Sequence, residues 1–391
     1  MSVTYPKGFR AGSIAAGLAA RGGVDLTVVV NDGPELSAAA VFTSNRAKAH
    51  PIRWSMAVID DHQVRAIVLN SGGANCFTGP EGFQLTHKSA EHTAEVLTDR
   101  EGIDTSAADV LICSTGLIGE PLPGGAVIAG IEGAIAQLDE SDEAGEESAR
   151  AIMTTDSVPK LSRYEGSGWR IGAMAKGAGM LAPGLATMLV VITTDAVVSG
   201  EVCDQALREA TRVSFDRLDS DGCMSTNDQV SLLASGASGI EVSAEEFTTA
   251  LTEVCVDLAR QLQRDAEGAS HDITIEVVGA KSEDDAVAVG REIARSNLFK
   301  AAIFGGDPNW GRILAAMGTA KADFVVDAAD VSINGVRVAS AGMPDRPRSE
   351  VDLSPRETHV LVDLKAGVQS ASIWTNDLTH DYVHENSAYS T

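Results

Sequence analysis

A threonine at the start of an apolar segment is the residue best placed for nucleophilic chemistry in this sequence. Thr187 follows Gly-Leu-Ala and precedes residues 188–193, which we predict to form a buried strand. If the peptide bond before Thr187 were cut, its α-amine, with an unperturbed pKa of about 7.7–8.0, would lie within reach of its own hydroxyl as a base. Such a nucleophile requires no histidine. The alternative is an ordinary strand threonine, because threonine is common in strands.

A turn after another predicted strand offers the donors that stabilise an oxyanion. Thr115 and Gly116 follow the strand predicted over residues 110–114 and supply one hydroxyl and one or two backbone N–H groups. Donors of this kind stabilise the tetrahedral intermediate of acyl transfer. Cys113 precedes them, but it has no histidine nearby in sequence, so we interpret it as a small buried apolar residue.

Two further patterns suggest cofactors, and neither has the context that it needs. Residues 177–182 match the dinucleotide fingerprint, but Pro183 and Gly184 follow where the phosphate-binding helix would begin. His380 and His384 have the spacing of helical metal ligands, but no third ligand is evident nearby. The sequence therefore predicts neither a nucleotide cofactor nor a metal.

Short β-branched segments alternate with longer alanine-rich ones, which is typical of a mixed α/β protein with layered sheets and helices. We predict strands over residues 26–30, 39–43, 65–69, 110–114, 170–174, 188–193, 273–278, 324–326, 359–364 and 372–374. We predict helices over residues 82–97, 125–138, 201–215, 244–264 and 283–295, and an acidic surface segment over 139–147. Residues 177–194 carry no charge, but three glycines and Pro183 favour a loop and a buried strand over a membrane span.

Charge and cysteine content restrict the partners and the compartment. Lys and Arg number 30 against 55 Asp and Glu, which gives a formal net charge of −25. A field of this sign repels nucleic acid and anionic membrane surfaces, so neither is expected as a partner. The five cysteines show no paired spacing, and the N-terminus shows no export signal, so we expect a cytoplasmic protein.

Several motifs along the chain identify a family. They are residues 70–75 (NSGGAN), 113–119 (CSTGLIG), 151–156 (AIMTTD), 176–183 (KGAGMLAP), 186–189 (ATML), 221–228 (DGCMSTND), 265–268 (DAEG), 306–312 (GDPNWGR) and 386–391 (NSAYST). With these motifs the chain resembles, from end to end, the ornithine acetyltransferases, also called glutamate N-acetyltransferases, of the cyclic arginine pathway. The resemblance implies the ornithine acetyltransferase fold, an α+β layered sandwich, in a self-cleaving enzyme of the N-terminal-nucleophile type.

The resemblance also implies a reaction. A precursor would cut itself between Ala186 and Thr187, leaving an α chain of residues 1–186 and a β chain of residues 187–391. Thr187 would take the acetyl group from N2-acetyl-L-ornithine and pass it to L-glutamate in a ping-pong reaction without metal or nucleotide. Thr115 and Gly116 match the family's oxyanion hole, and an α2β2 assembly is expected.

Substrate-binding roles carry over from the family by position. They fall on Thr154, Lys176, Thr187, Glu267, Asn386 and Thr391, with Thr155 adjacent to the first of them. Lys176 can pair a substrate α-carboxylate, while Glu267 can pair either the α-amine of the acceptor or the terminal amine of ornithine.

Other functions stay open from the sequence. A self-cleaving aminopeptidase or amidase would use the same nucleophile with water as the acyl acceptor. In a noncatalytic binding protein Thr187 would be only a strand residue. The sequence also leaves open whether acetyl-CoA serves as a second acetyl donor.

Overall fold

A computed structural model describes residues 2–182 and 188–388 of the chain. The predicted cleavage-site residues Ala186 and Thr187, and the C-terminal Thr391, lie outside the described residues. The strands are β1 (Phe9–Ile14), β2 (Leu26–Asn31), β3 (Ser37–Phe42), β4 (Ala66–Asn70), β5 (Val110–Ser114), β6 (Lys160–Glu165), β7 (Arg170–Lys176), β8 (Leu189–Thr194), β9 (Gln229–Ala234), β10 (Asp272–Ala280), β11 (Asp330–Ile333), β12 (Val336–Ser340), β13 (Met343–Pro344), β14 (Glu357–Asp363) and β15 (Gln369–Asn376). The helices are α1 (His50–Val58), α2 (Gly79–Glu101), α3 (Gly124–Ile135), α4 (Asp142–Ala151), α5 (Gly200–Arg212), α6 (Ala244–Arg264), α7 (Glu283–Ala294), α8 (Asn297–Phe304), α9 (Trp310–Met317) and α10 (His380–Ala388).

Two sheets pack face to face, and their inner strands, such as β2, β4, β8 and β9, are buried along their whole length. The first sheet has the order β1-β2-β4-β5, and the second has the order β3-β9-β8-β7-β6. Successive side chains of a strand point to opposite faces. In β8, Leu189 and Val191 therefore join the core between the two sheets, while Val190 and Ile192 join the core beneath α5 and α6.

The first sheet is covered on its other face by α2 and α3, where Val110 and Ile112 of β5 pack with Leu97 and Ile131. The layers therefore follow the order helix, sheet, sheet, helix. This arrangement confirms the layered α+β sandwich predicted from the sequence.

A third sheet has the order β13-β12-β11-β14-β10-β15 and its own apolar core with α7, α8 and α9. Five of the described helices begin after a serine whose side chain accepts a backbone N–H of the first turn. These serines are Ser141, Ser199, Ser243, Ser282 and Ser296.

The structure confirms most of the predicted elements and corrects two. Residues 324–326 form no strand, because this short apolar segment runs instead into a single 3-10 turn at Val326–Ala328. The acidic segment 139–147 is largely helical, since α4 begins at Asp142 and buries small residues such as Gly145 and Ala149. The strands β1, β6, β9, β11, β12 and β13 and the helices α1, α8, α9 and α10 were not predicted.

The topology brings the ends of several strands together. β4 and β5 run parallel, with Asn70 beside Ser114, so the segments that follow both strands leave the same edge of the first sheet. In the second sheet β7 and β8 are antiparallel, with Lys176 opposite Leu189. The chain that leaves β7 and the chain that enters β8 therefore meet at one end of the sheet.

Candidate active site

The turn after β5 presents two hydrogen-bond donors. The backbone N–H of Thr115 is already used, because it donates to the carbonyl of Asn70 at 3.0 Å. The Thr115 hydroxyl remains, and no described residue accepts the N–H of Gly116. Gly116 has φ of +120°, and a Cβ there would lie 2.7 Å from the backbone nitrogen of Gly73. Only glycine fits this turn without displacing the neighbouring segment.

Lys176 reaches this turn from the second sheet. Its side chain is 1% exposed, and its Nζ donates to Thr115 Oγ1 at 3.2 Å. Burial lowers the pKa of Lys176, while the carboxylates of Asp156 and Asp228 oppose that shift. An N–H donor on Oγ1 leaves the hydroxyl proton of Thr115 free to point at a substrate and makes it a stronger donor.

A buried ion-pair network joins the residues around Thr154 to the end of β7, next to Lys176. Asp156 Oδ1 accepts hydrogen bonds from the Gly177 N–H and from Lys160 Nζ, each at 2.6 Å, and Asp156 Oδ2 accepts the Thr154 N–H at 3.0 Å. Burial acts to raise the pKa of Asp156, but the two lysines outweigh it, so this pKa is lowered. The charged carboxylate of Asp156 therefore joins the segment after α4 to the end of β7 by hydrogen bonds to both.

The same network continues to the segment after α6. Lys160 is fully buried, and its Nζ lies 2.5 Å from Asp265 Oδ2. No role was predicted from the sequence for Asp156, Lys160 or Asp265, although Asp156 ends the motif 151–156 and Asp265 begins the motif 265–268. Since residues 156–159 are not helical, the four-residue spacing of Asp156 and Lys160 gave no reliable sign of their contact.

Glu267 joins the site through both of its carboxylate oxygens. Oε1 accepts the Thr155 hydroxyl at 2.7 Å, and Oε2 accepts Asn386 Nδ2 at 2.8 Å. A Cβ on Gly179 would lie 2.5 Å from these oxygens, so the glycine-rich loop also packs directly on the carboxylate. The predicted residues Glu267 and Asn386 are thus in contact, and the hydroxyl that reaches Glu267 is that of Thr155.

A second buried carboxyl lies beside the entry to β8. Asp228 is fully buried, and its Oδ1 accepts the N–H of Met188 at 3.2 Å. Within the described part of the chain, Asp228 Oδ2 has no hydrogen-bond partner. Burial raises the pKa of Asp228 well above its ordinary value. This group was also not assigned from the sequence, although it ends the motif 221–228.

A cavity of about 420 Å³ opens beside these groups. Its described wall consists of residues 19–21, 71–72, 116–117 and 153–155 together with Glu385. Gly116 and Thr154, both predicted from the sequence, lie in this wall, while Lys176 stands behind it in contact with Thr115. The volume is within the range of roughly 300–1,000 Å³ that is usual for small-molecule sites.

Alternative chemistries find little support in the described residues. Cys113 is buried, and burial raises the pKa of its thiol, which disfavours the thiolate that a nucleophile needs. Within residues 2–182 and 188–388, no group of three or more His, Cys, Asp or Glu side chains is placed to hold a metal ion. The ring of His380 packs edge-on against Phe304. None of the helices in this part of the chain has the length and apolar character of a membrane span.

Comparison with known proteins gives full-length matches. A family model described as the ArgJ family matches residues 10–391. The proteins named arginine biosynthesis bifunctional protein ArgJ from Streptomyces avermitilis and from Thermobifida fusca are each 58% identical over 391 residues, covering 100% of both chains. A solved structure, ornithine acetyltransferase from Mycobacterium tuberculosis complexed with ornithine, shares 46% identity over 48% of this chain and 96% of that chain, with a TM-score of 0.46.

Proposed function

The chain belongs to the ArgJ family, and we propose that it transfers the acetyl group of N2-acetyl-L-ornithine to L-glutamate through an acetyl ester on Thr187. It is an acyltransferase of arginine biosynthesis, like its full-length relatives. The observation that carries the proposal is the contact between Lys176 Nζ and Thr115 Oγ1 beside the Gly116 turn, at the wall of the cavity. This arrangement supplies what an acyl-transfer intermediate requires, namely fixed donors next to a cation in a water-poor site.

The nucleophile arises by self-cleavage between Ala186 and Thr187, which gives an α chain of residues 1–186 and a β chain of residues 187–391. The new α-amine of Thr187 then takes the proton of its own hydroxyl. Support comes from the other side of this residue: Met188, its covalent neighbour, is fully buried and anchored to Asp228. The strand that carries the nucleophile is therefore held in place whether or not the chain is cut.

Acyl transfer proceeds in two half-reactions. Thr187 Oγ1 attacks the acetyl carbon of the donor, and the oxyanion is stabilised by the Thr115 hydroxyl and the Gly116 N–H. The bond from the acetyl carbon to N2 then breaks, and ornithine leaves with the proton held by the α-amine. Glutamate enters, its uncharged amine attacks the ester, and Thr187 recovers its proton as N-acetylglutamate forms.

Substrate binding falls to groups that surround the cavity. Thr154 and Thr155 lie in its wall, and Glu267 is oriented by Thr155 and Asn386. Thr391 completes the set predicted from the family. The complete burial of Lys176 favours a role through Thr115, although pairing of Lys176 with a substrate α-carboxylate stays a prediction.

The assembly and surroundings of the enzyme belong to the same proposal. We expect two copies of each chain, in the cytoplasm, working without a metal or nucleotide cofactor. Acetyl-CoA remains a candidate second donor, since it would acetylate the same threonine.

Intact-mass analysis tests the proposal. Purified protein is measured before and after brief exposure to N2-acetylornithine without glutamate, and the expected result is two chains with one acetyl group on residues 187–391. Later addition of glutamate should remove the acetyl group and yield N-acetylglutamate without free acetate. Release of acetate in place of N-acetylglutamate would favour the hydrolase, and a single unmodified chain would contradict the proposal.

A further inference from the structure

The two substrates of the proposed reaction differ in the charge at the end of their side chains. The donor carries a terminal ammonium on its ornithine part, whereas the acceptor carries a γ-carboxylate. In a ping-pong reaction both occupy the same pocket in turn, next to the same threonine. The pocket must therefore accept a cation and an anion at its distal end, although the parts near the acetyl group are alike.

The described wall of the cavity contains one charged side chain of each sign. Arg21 lies on the loop that follows β1, and Glu385 lies on α10. The other described wall residues are uncharged, being alanine, glycine, serine, threonine, leucine or methionine. Arg21 and Glu385 are thus the charged groups that a substrate side chain meets in this part of the structure.

Arg21 is held firmly although it is exposed. Its Nη2 donates to the carbonyls of Val24 and Arg150, each at 3.1 Å. No described residue accepts a hydrogen bond from its Nε or Nη1, so this edge of the guanidinium is available to a carboxylate. A guanidinium oriented in advance loses less conformational entropy when it binds such a group.

The loop that carries Arg21 is itself tied to the site. The Asp25 carboxylate accepts the N–H groups of Ala16, Leu18 and Ala19 at 2.6–2.9 Å. Gly72 packs so closely on the loop that a Cβ there would lie 2.4 Å from the Leu18 carbonyl oxygen. The position of the guanidinium is therefore set by the same segment, residues 71–72, that forms part of the cavity wall.

Glu385, on α10, lines the same cavity as Arg21. No described residue donates a hydrogen bond to its carboxylate. Burial, followed by the nearby charges of Glu267 and Asp381, raises the pKa of Glu385. An ammonium group placed among these carboxylates would relieve their mutual repulsion. The helix that carries Glu385 is docked by the bond between Asn386 and Glu267 and by the Thr379 hydroxyl on the Gly268 carbonyl at 2.6 Å.

From this arrangement we propose that Arg21 and Glu385 select the two substrates by side-chain charge: Glu385 binds the terminal ammonium of acetylornithine, and Arg21 binds the γ-carboxylate of glutamate. This inference rests on the proposed function and adds the residues that determine specificity. It leaves Glu267, whose oxygens are already fixed by Thr155 and Asn386, for the α-amine of the acceptor.

The kinetics of a ping-pong enzyme separate the two assignments, because kcat/KM for each substrate reports only its own half-reaction. For Arg21→Gln we expect kcat/KM for glutamate to fall about ten- to a hundredfold, with kcat/KM for acetylornithine unchanged or increased. Glu385→Gln should show the reverse. Arg21→Gln should also lose most of its preference for glutamate over glutamine as acceptor.

Matched controls remove nearby charges that do not line the cavity. Arg150→Gln neutralises an exposed cation at the end of α4, and Glu147→Gln neutralises an exposed carboxylate on the same helix. Both should keep the two kcat/KM values close to wild type. Equal losses in both half-reactions, or none, for Arg21→Gln and Glu385→Gln would overturn the inference while wild-type transfer continues. Absence of transfer by the wild-type enzyme would instead refute the proposed function and with it this inference.

Discussion

Removing the hydroxyl of Thr115 provides the most direct test of the oxyanion site. Thr115→Val keeps the shape of the side chain and deletes its donor. Because the Thr115 N–H is already bonded to the Asn70 carbonyl, the hydroxyl is the only donor that this residue can offer. Loss of one oxyanion donor costs about 2.7–4 kcal/mol, so acetylation of Thr187 should slow by roughly 10²–10³-fold.

The same substitution should lower stability. Lys176 Nζ makes its hydrogen bond to Thr115 Oγ1, and within the described part of the chain it has no other. A buried donor left unpaired costs about 1–3 kcal/mol, a loss that thermal unfolding would detect. Thr115→Ser keeps both the donor and the acceptor for Lys176, so it should stay close to wild type in rate and in stability.

The assay is a single-turnover reaction with excess N2-acetylornithine, quenched at intervals and analysed by intact mass. Rates are normalised to the fraction of the chain that has been cleaved, so that a defect in self-cleavage is not counted as a defect in transfer. Acetylation of Thr115→Val at the wild-type rate would refute the assignment of this hydroxyl. Equal losses in the valine and serine variants would point to packing rather than to the donor.

Four other perturbations test separate parts of the site. Thr187→Ala should give a single uncut chain by intact mass and no acetyl transfer. Gly116→Ala should reduce kcat strongly, since a Cβ would lie 2.7 Å from the Gly73 nitrogen and displace the turn; transfer assays on cleaved protein check this. Asp156→Asn should have a lower Tm than wild type, and the difference in Tm should be largest at neutral pH. The folded pKa of Asp156 is lowered, so the stability from its charged form is present above the unfolded value of about 3.9 and is lost as pH falls through the folded value. The gap in Tm should therefore shrink only when the pH falls below the unfolded value. A C-terminal extension beyond Thr391 should raise KM in steady-state kinetics, with the same tag at the N-terminus as control.

Sequence patterns predicted helices and strands best where the apolar pattern and the length of the segment indicated the same type of element. The strand predicted over 110–114 and the helix predicted over 244–264 have the observed bounds. The strand is a short continuous apolar segment after Asp109, and the helix has apolar residues at a helical period. Helix α4 was not predicted, because its buried face consists of glycine, serine and alanine and therefore lacks the large apolar residues that indicate an amphipathic helix. Ser141, which caps this helix, was the available signal.

The candidate site was predictable in its parts but not in its connections. Thr115 and Gly116 could be proposed from a strand followed by a turn. The contact of Thr115 with Lys176 joins residues 61 positions apart on different sheets, and no local pattern specifies such a pairing. The same holds for Lys160 with Asp265, which are 105 positions apart. Long-range polar contacts of this kind depend on how the sheets pack on each other. The sequence predicts the fold class, but not the strand order or the register that brings these residues together.

The second sheet explains how the proposed cleavage is compatible with structural integrity. Strands β3, β6 and β7 belong to residues 1–186, whereas β8 and β9 belong to residues 187–391, and the order β3-β9-β8-β7-β6 places the latter pair in the middle. Separation of the two chains would break the pairing of β8 with β7 and of β9 with β3 and would expose strands that are buried along their whole length. The exposed apolar surface alone would make that separation strongly unfavourable. A cut after Ala186 can therefore free an amine at the active site while the sheet that positions it remains continuous.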